Sequence, residues 1–392
     1  MLIRIFFIFL FFIFSASYSF ADKPENNIIR REQAVLYQAQ EALKNKSFHK
    51  ASNLLSEYIN KNPGSKNSLI WYALGNALYM SQNLEKALSA YEKGFKIDPG
   101  SYNLCINIAK TSYDLKQFFK AGEFFEKSFN LTNSKNRELL FQAGTAYYQG
   151  KNLEKAGAAL KKAVSDQKQS KTEWLRLYIH ICLELKEWKE AEITLEKFLN
   201  KNPGDIQYWK ILANTRLNRK NYKEAAAALE IAYSIKTPSS KEWEELANLY
   251  FHLNFPLKAA RTLEKAYGKK PDAKQCEKLS SAFAEAQRKE KAIKYINLAI
   301  EQTPCADIYY KKGQLCYEWG VWKKAVKSFQ NCIKLNPDKD MAYLLLGYCA
   351  LEIEDYDLAC KSFLSASKKA KYKKQALDGL ELCKPTESDL SD

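Results

Sequence analysis

Histidine is scarce in this chain: His49, His180 and His252 are the three among 392 residues. They stand far apart and are read as isolated from any second histidine or carboxylate at ligand spacing, which argues against a histidine-based metal centre or general base. Glycine is also sparse, with 14 residues, and none of them builds a phosphate-cradling loop or a nucleophile elbow. An enzyme is therefore not expected, and no cofactor or metal is implied. Beyond the N-terminus there is no long hydrophobic run, so no later segment is expected to span a membrane.

Cysteine is present but without metal or haem spacing. Seven of the nine cysteines fall between Cys276 and Cys383. Most are read as small buried thiols. An exported chain can also form disulfides, and Cys332 with Cys349 is the preferred pair, leaving an odd number of thiols.

The N-terminus explains why export is considered. Arg4 precedes ten consecutive apolar residues from Ile5 to Phe14, and Ser19-Phe20-Ala21 forms a small-x-small site before Asp22. Residues 1–21 read as a cleaved signal peptide, because ten apolar residues are far short of the roughly 20 that a span needs. The mature chain is expected to be soluble and periplasmic or secreted. Its formal charge of +16 comes from 61 Lys and Arg against 45 Asp and Glu. Lysines stand in every repeat, frequently beside glutamate, and most read as solvated helix faces, as does the denser group Lys368, Lys369, Lys371, Lys373 and Lys374. No nucleic-acid recognition motif accompanies the charge, so a nucleic-acid partner is not expected.

What the chain has in abundance is repetition. Ala51, Ala87, Ala121, Ala156, Ala191, Ala225, Ala259, Ala292, Ala325 and Ala359 follow one another at intervals of 33 to 36 residues. Four residues after each stands a large apolar side chain, such as Leu55, Tyr91, Phe329 or Phe363, one helical turn away on the same face. Twelve residues before it the side chain is usually small, as at Ala39, Gly75, Gly144, Gly313 and Gly347, with Ile179 the exception. Prolines, among them Pro63, Pro99, Pro203, Pro304 and Pro337, fall twelve residues after the alanine, where they would end a helix. Each unit thus predicts helix, turn, helix. The register weakens near residue 168, where the proline is missing, and a change of twist is expected there.

This pattern resembles the tetratricopeptide repeat family from about residue 32 to about residue 371. The resemblance implies an all-α superhelical solenoid of about ten repeats, 32–371, after a lead-in at 22–31. A capping helix at 372–383 and a polar tail at 384–392 would follow. In that family the first helix of each unit lines a concave groove that takes protein or peptide partners. The matching register selects Tyr72, Asn76 and Tyr79, then Ile106, Lys110 and Tyr113, then Phe141, Thr145 and Tyr148. Further on it selects Arg176, His180, Lys210, Asn214, Glu244, Asn248 and Phe251, a more polar stretch. Lys210, Asn214, Lys274 and Lys278 also fall on four of the five registers of the family's carboxylate clamp, but Glu245 replaces the fifth.

Residues 205–383 are similar to periplasmic members of the family associated with TonB-type energy transduction, through Leu246-Ala247-Asn248-Leu249-Tyr250, Gly313-Gln314-Leu315 and Leu345-Leu346-Gly347. That similarity implies an accessory scaffold of envelope transport. An envelope assembly factor holding a cell-wall polymer or a synthase is the alternative.

Overall fold

In the computed structural model the described residues are 24–133, 135–166, 170–368 and 370–383. The signal-peptide reading at 1–21 and the tail after Pro385 lie outside them. Among the described residues there are 21 α-helices, one short 3-10 helix and no strand. They divide into two compact units, Met1–Lys201 and Asn202–Asp392.

The first unit holds five helix pairs: α1 (Pro24–Lys44) with α2 (Phe48–Lys61), α3 (Ser68–Met80) with α4 (Leu84–Ile97), α5 (Tyr102–Asp114) with α6 (Phe118–Leu131), α7 (Glu138–Gln149) with α8 (Leu153–Ala163), and α9 (Thr172–Glu184) with α10 (Trp188–Lys201). The second holds five more: α11 (Ile206–Asn218) with α12 (Tyr222–Ile235), α13 (Ser240–His252) with α14 (Pro256–Tyr267), α15 (Ala273–Glu285) with α16 (Lys289–Gln302), α17 (Ala306–Glu318) with α18 (Trp322–Leu335), and α19 (Asp340–Leu351) with α20 (Tyr356–Ser367). A final helix, α21 (Lys373–Glu381), packs on α20. Within each unit, neighbouring pairs stack, and each pair buries its apolar face against the next.

All ten periodic alanines are 0 % exposed, which is why nothing larger recurs there. The large residue four positions on crosses to the small residue of its own first helix. A methyl group built on Gly313 or Gly347 would come within 2.5 Å of the Phe329 ring or 2.6 Å of the Phe363 ring. Phe363 meets Gly379 of α21 in the same way, so the last helix repeats the docking surface of an ordinary first helix.

The turn inside each pair is equally periodic. Five residues before every alanine the backbone is left-handed, at Lys46, Gln82, Lys116, Lys151, Lys186, Lys220, Asn254, Gln287, Gly320 and Glu354, with φ from 56° to 68°. Glycine would take that conformation without steric cost, yet it occupies one of the ten sites. Between pairs, Pro63, Pro99, Pro203, Pro304 and Pro337 each lie two residues beyond a helix end. Where no proline stands, near residue 168, α8 already stops at Ala163 after 11 residues.

Candidate functional site

The sequence places its candidate groove on the first helices, so their contacts decide what it can do. Within the first unit, side chains about one period apart meet between α3 and α5 and between α7 and α9. The Tyr79 hydroxyl donates to Asp114 Oδ2 at 2.7 Å, and Asn107 Nδ2 donates to Asn76 Oδ1 at 3.1 Å. Asn76 Oδ1 also accepts from the Tyr91 hydroxyl at 2.7 Å. Further along, Tyr148 Oη and His180 Nε2 are 2.8 Å apart, and His180 Nε2 lies 3.0 Å from Glu184 Oε1. The helical register makes these contacts recur, since equivalent first-helix positions face one another in a stack.

Burial raises the Tyr79 hydroxyl to about 12, helped by the hydrogen bond and charge of Asp114. It therefore stays a neutral donor. Burial lowers the Lys110 ammonium, and the carboxylate of Asp114 works against that. Amide, phenol and ammonium groups, half-buried, thus share one row with the exposed carboxylate of Asp114, a chemistry suited to pairing with peptide backbone and small polar side chains.

Not every expected groove residue joins that row. Ile106 is 7 % exposed and belongs to the core. Tyr72 packs near the Tyr91 ring, and Tyr113 meets Phe118 edge-on at 5.4 Å. Phe141 stacks on the buried Trp174 at 5.7 Å with planes 19° apart, while the polar Thr145 hydroxyl bonds back to the Phe141 carbonyl. These rings are held largely by their neighbours. The reading of His180 as remote from any carboxylate is corrected by Glu184, one helical turn away on α9. Asn107, Asp114 and Trp174 were missed, although each lies one period from a residue already chosen.

In the second unit the first helices carry a ladder of ion pairs. Lys210 pairs with Glu242, Lys278 with Glu244 at 3.3 Å, Lys311 with Glu277, and Lys339 with Asp307 at 2.7 Å. Glu242 is drawn down to about 2 by Lys210 and by hydrogen bonds from the Ser239 backbone and hydroxyl. An open depression of about 790 Å³ lies beside this first rung, lined by Asp205, Gln207, Lys236 and Ser239 among others. With Lys210 and Lys278 each bound to a carboxylate, and Glu245 exposed nearby, the clamp registers do not assemble a cationic anchor. Asn214 and Asn248 are exposed, while Arg176 sits 5.3 Å from the Phe198 ring centre and Phe251 packs against the core.

All nine cysteines are free thiols. The expected bond between Cys332 and Cys349 is absent: both are 0 % exposed, and the thiol bearing electrostatically on Cys349 is Cys316, whereas on Cys332 it is Cys305. No group of three or more metal-ligating side chains occurs among the described residues, and none of their helices is long and apolar enough to cross a membrane.

Comparisons with known proteins match three segments of the chain to one family description. Family models described as "Tetratricopeptide repeat" match residues 68–101, 138–165 and 310–372. No curated protein matches the chain. Among solved structures, YrrB, described as a tetratricopeptide protein with an unusual peptide-binding site, is 18% identical over 51% of this chain and 97% of its own, with a TM-score of 0.35. A tetratricopeptide repeat protein from Parabacteroides merdae is 16% identical over 65% of this chain and 98% of its own, with a TM-score of 0.35. The C-terminal part of one from Cytophaga hutchinsonii is 16% identical over 62% and 99%, with a TM-score of 0.33. Matches in both units support the tetratricopeptide repeat family, and the fold is an all-α solenoid built from helix pairs of that type.

Proposed function

We propose that this chain is an exported, non-enzymatic scaffold that binds a protein or peptide partner along the first-helix row of its first unit, as an accessory of TonB-dependent transport in the bacterial envelope. The observation that carries the binding site is two sets of polar contacts between first helices, Asn76 and Tyr79 of α3 with Asn107 and Asp114 of α5, and Tyr148 of α7 with His180 of α9. Such groups offer donors and acceptors on a rigid support, and their rings add contact area at low entropic cost. The second unit is the weaker candidate because its first-helix row is built mainly of ion pairs and not of phenol and amide contacts. Export rests on the pattern of residues 1–21, and the transport role on the similarity of residues 205–383.

Affinity capture from intact envelopes tests the reading, with Tyr79→Ala/Tyr148→Ala as the probe and Tyr356→Ala, exposed in the second unit, as the control. Loss of roughly 1–2 kcal/mol per tyrosine should weaken capture about tenfold or more in the double variant only. Recovery of inner-membrane energy-coupling proteins would support the transport role. Recovery of glycan or cell-wall synthases would favour the assembly-factor alternative. If the double variant retains every partner, the first-helix row is not the site. A mature N-terminus at Met1 in the cytoplasmic fraction, in place of Asp22 outside it, would remove the export reading.

A further inference from the structure

The second unit ends on a pair of thiols that the proposed groove does not use. Cys360 lies on α20 directly after the periodic Ala359, a position that faces the next element of the stack. The equivalent Gly122 faces Tyr147, and Gly157 faces Ile181 and Leu185. For Cys360 the next element is α21 and the turn after it. There Cys383 is 8 % exposed and its Sγ donates to the Gly379 carbonyl at 3.5 Å. Cys360 Sγ lies 4.0 Å from the Cys383 carbonyl oxygen, and the two side chains pack in one apolar cluster with Phe363 and Ala376.

We infer that Cys360 and Cys383 form a redox-controlled disulfide that staples the terminal helix α21 to the last repeat. Cys360 is part-exposed, whereas Cys332 and Cys349 are fully buried and closed to an oxidant. Burial and the adjacent Cys360 thiol hold the Cys383 thiol up at about 12, so Cys360 is the entry point and Cys383 the resolving thiol. The oxidant is a disulfide, either a small-molecule one or that of a thiol–disulfide oxidoreductase. The Cys360 thiolate attacks one of its sulfurs and expels the other as a thiolate, giving a mixed disulfide. The Cys383 thiolate then attacks Cys360 Sγ and expels the second thiolate. Two electrons pass to the oxidant, and the two thiol protons end on the released thiolates.

The consequence is mechanical. Phe363 is gripped between Gly347 and Gly379, and α21 covers the apolar flank that the tenth pair would expose. A covalent tie across this short loop restricts the unfolded segment and so suppresses local opening of the cap.

The full-length protein, equilibrated with oxidised glutathione, is alkylated at its free thiols and digested without reduction. The expected product is one peptide pair joining Cys360 to Cys383, with the loss of two hydrogens and the other seven cysteines alkylated. Amide exchange over 373–383 should slow about tenfold or more relative to the reduced protein. Cys360→Ser and Cys360→Ala should both abolish the linked peptide and the oxidant-dependent slowing while leaving exchange in the first unit unchanged. Cys360 linked to another cysteine, Cys360 stalled as a glutathione adduct, or no linkage would each overturn the inference. So would a correct linkage without any change in exchange over 373–383.

Discussion

The same substitution, glycine to alanine, should have opposite signs at two helical sites of the first unit. Gly75 lies inside α3, and a Cβ built there falls well within contact distance of Tyr91 Cδ1 and Cε1 and 2.9 Å from Cζ. Tyr91 cannot swing aside freely, because its ring is 2 % exposed and its hydroxyl is tied to Asn76. Gly157 lies inside α8, where a Cβ would meet Ile181 Cγ2 at 3.5 Å and Leu185 Cδ1 at 3.6 Å, ordinary contact distances. Alanine gains roughly 0.8–1.0 kcal/mol over glycine in a helix interior. At Gly157 that gain should stand, for a stabilisation of about 0.5–1 kcal/mol. At Gly75 overpacking costs roughly 1–3 kcal/mol, leaving a net loss of about 1 kcal/mol.

The two variants should therefore differ by about 2 kcal/mol, or several degrees in melting temperature for a unit of this size. Thermal unfolding followed by circular dichroism measures this, and a partner substitution isolates its cause. The chain already combines alanine with leucine at the equivalent positions Ala39 and Leu55, both 0 % exposed. On a Tyr91→Leu background, Gly75→Ala should cost nothing or stabilise. If Gly75→Ala has the same effect on both backgrounds, the ring contact is not what keeps glycine there.

Acid should act on the second unit through Glu242, whose carboxyl is lowered from 4.5 to about 2 in the folded chain. A depressed carboxylate contributes stability that is complete above its unfolded value and is lost as pH falls toward 2, so stability should decline between these limits. Glu242→Gln should flatten that decline in urea titrations, and an unchanged slope would show that the ion pair with Lys210 is not responsible. In the turns, Gly320→Lys should cost only about 1 kcal/mol, since equivalent turns already hold lysine at positive φ. A loss of several kcal/mol in unfolding free energy, measured by denaturant titration, would refute the equivalence of these turns.

The fold was legible because every pair solves one packing problem with one set of positions. Ala325 with Gly313 and Phe329, or Ala359 with Gly347 and Phe363, can be read from spacing alone, since small and large side chains must alternate where helices approach closely. The left-handed turn was not legible, because lysine, glutamine and glutamate carry no mark of positive φ. Nor was the division between ring packing and ring exposure: Phe141 and Tyr148 are read alike, yet one stacks on Trp174 and the other reaches His180.

Those departures from uniformity are what would let a ligand choose among the pairs. A stack of identical pairs would present identical first helices, and a ligand could not choose among them. Here the pairs that meet one period apart change character along the chain. Tyr79 with Asp114 and Tyr148 with His180 leave polar edges between aromatic faces, whereas Lys210 with Glu242 and Lys311 with Glu277 close charge upon charge. Exposed ion pairs such as Lys311 with Glu277 contribute about 0–1 kcal/mol each, so among these pairs it is the part-buried one, Lys210 with Glu242, that carries the acid dependence. Their effect is to neutralise a face that would otherwise attract anions, whereas the proposed row of the first unit is built of phenol, amide and imidazole contacts, and this makes Tyr79 and Tyr148 the informative side chains to remove.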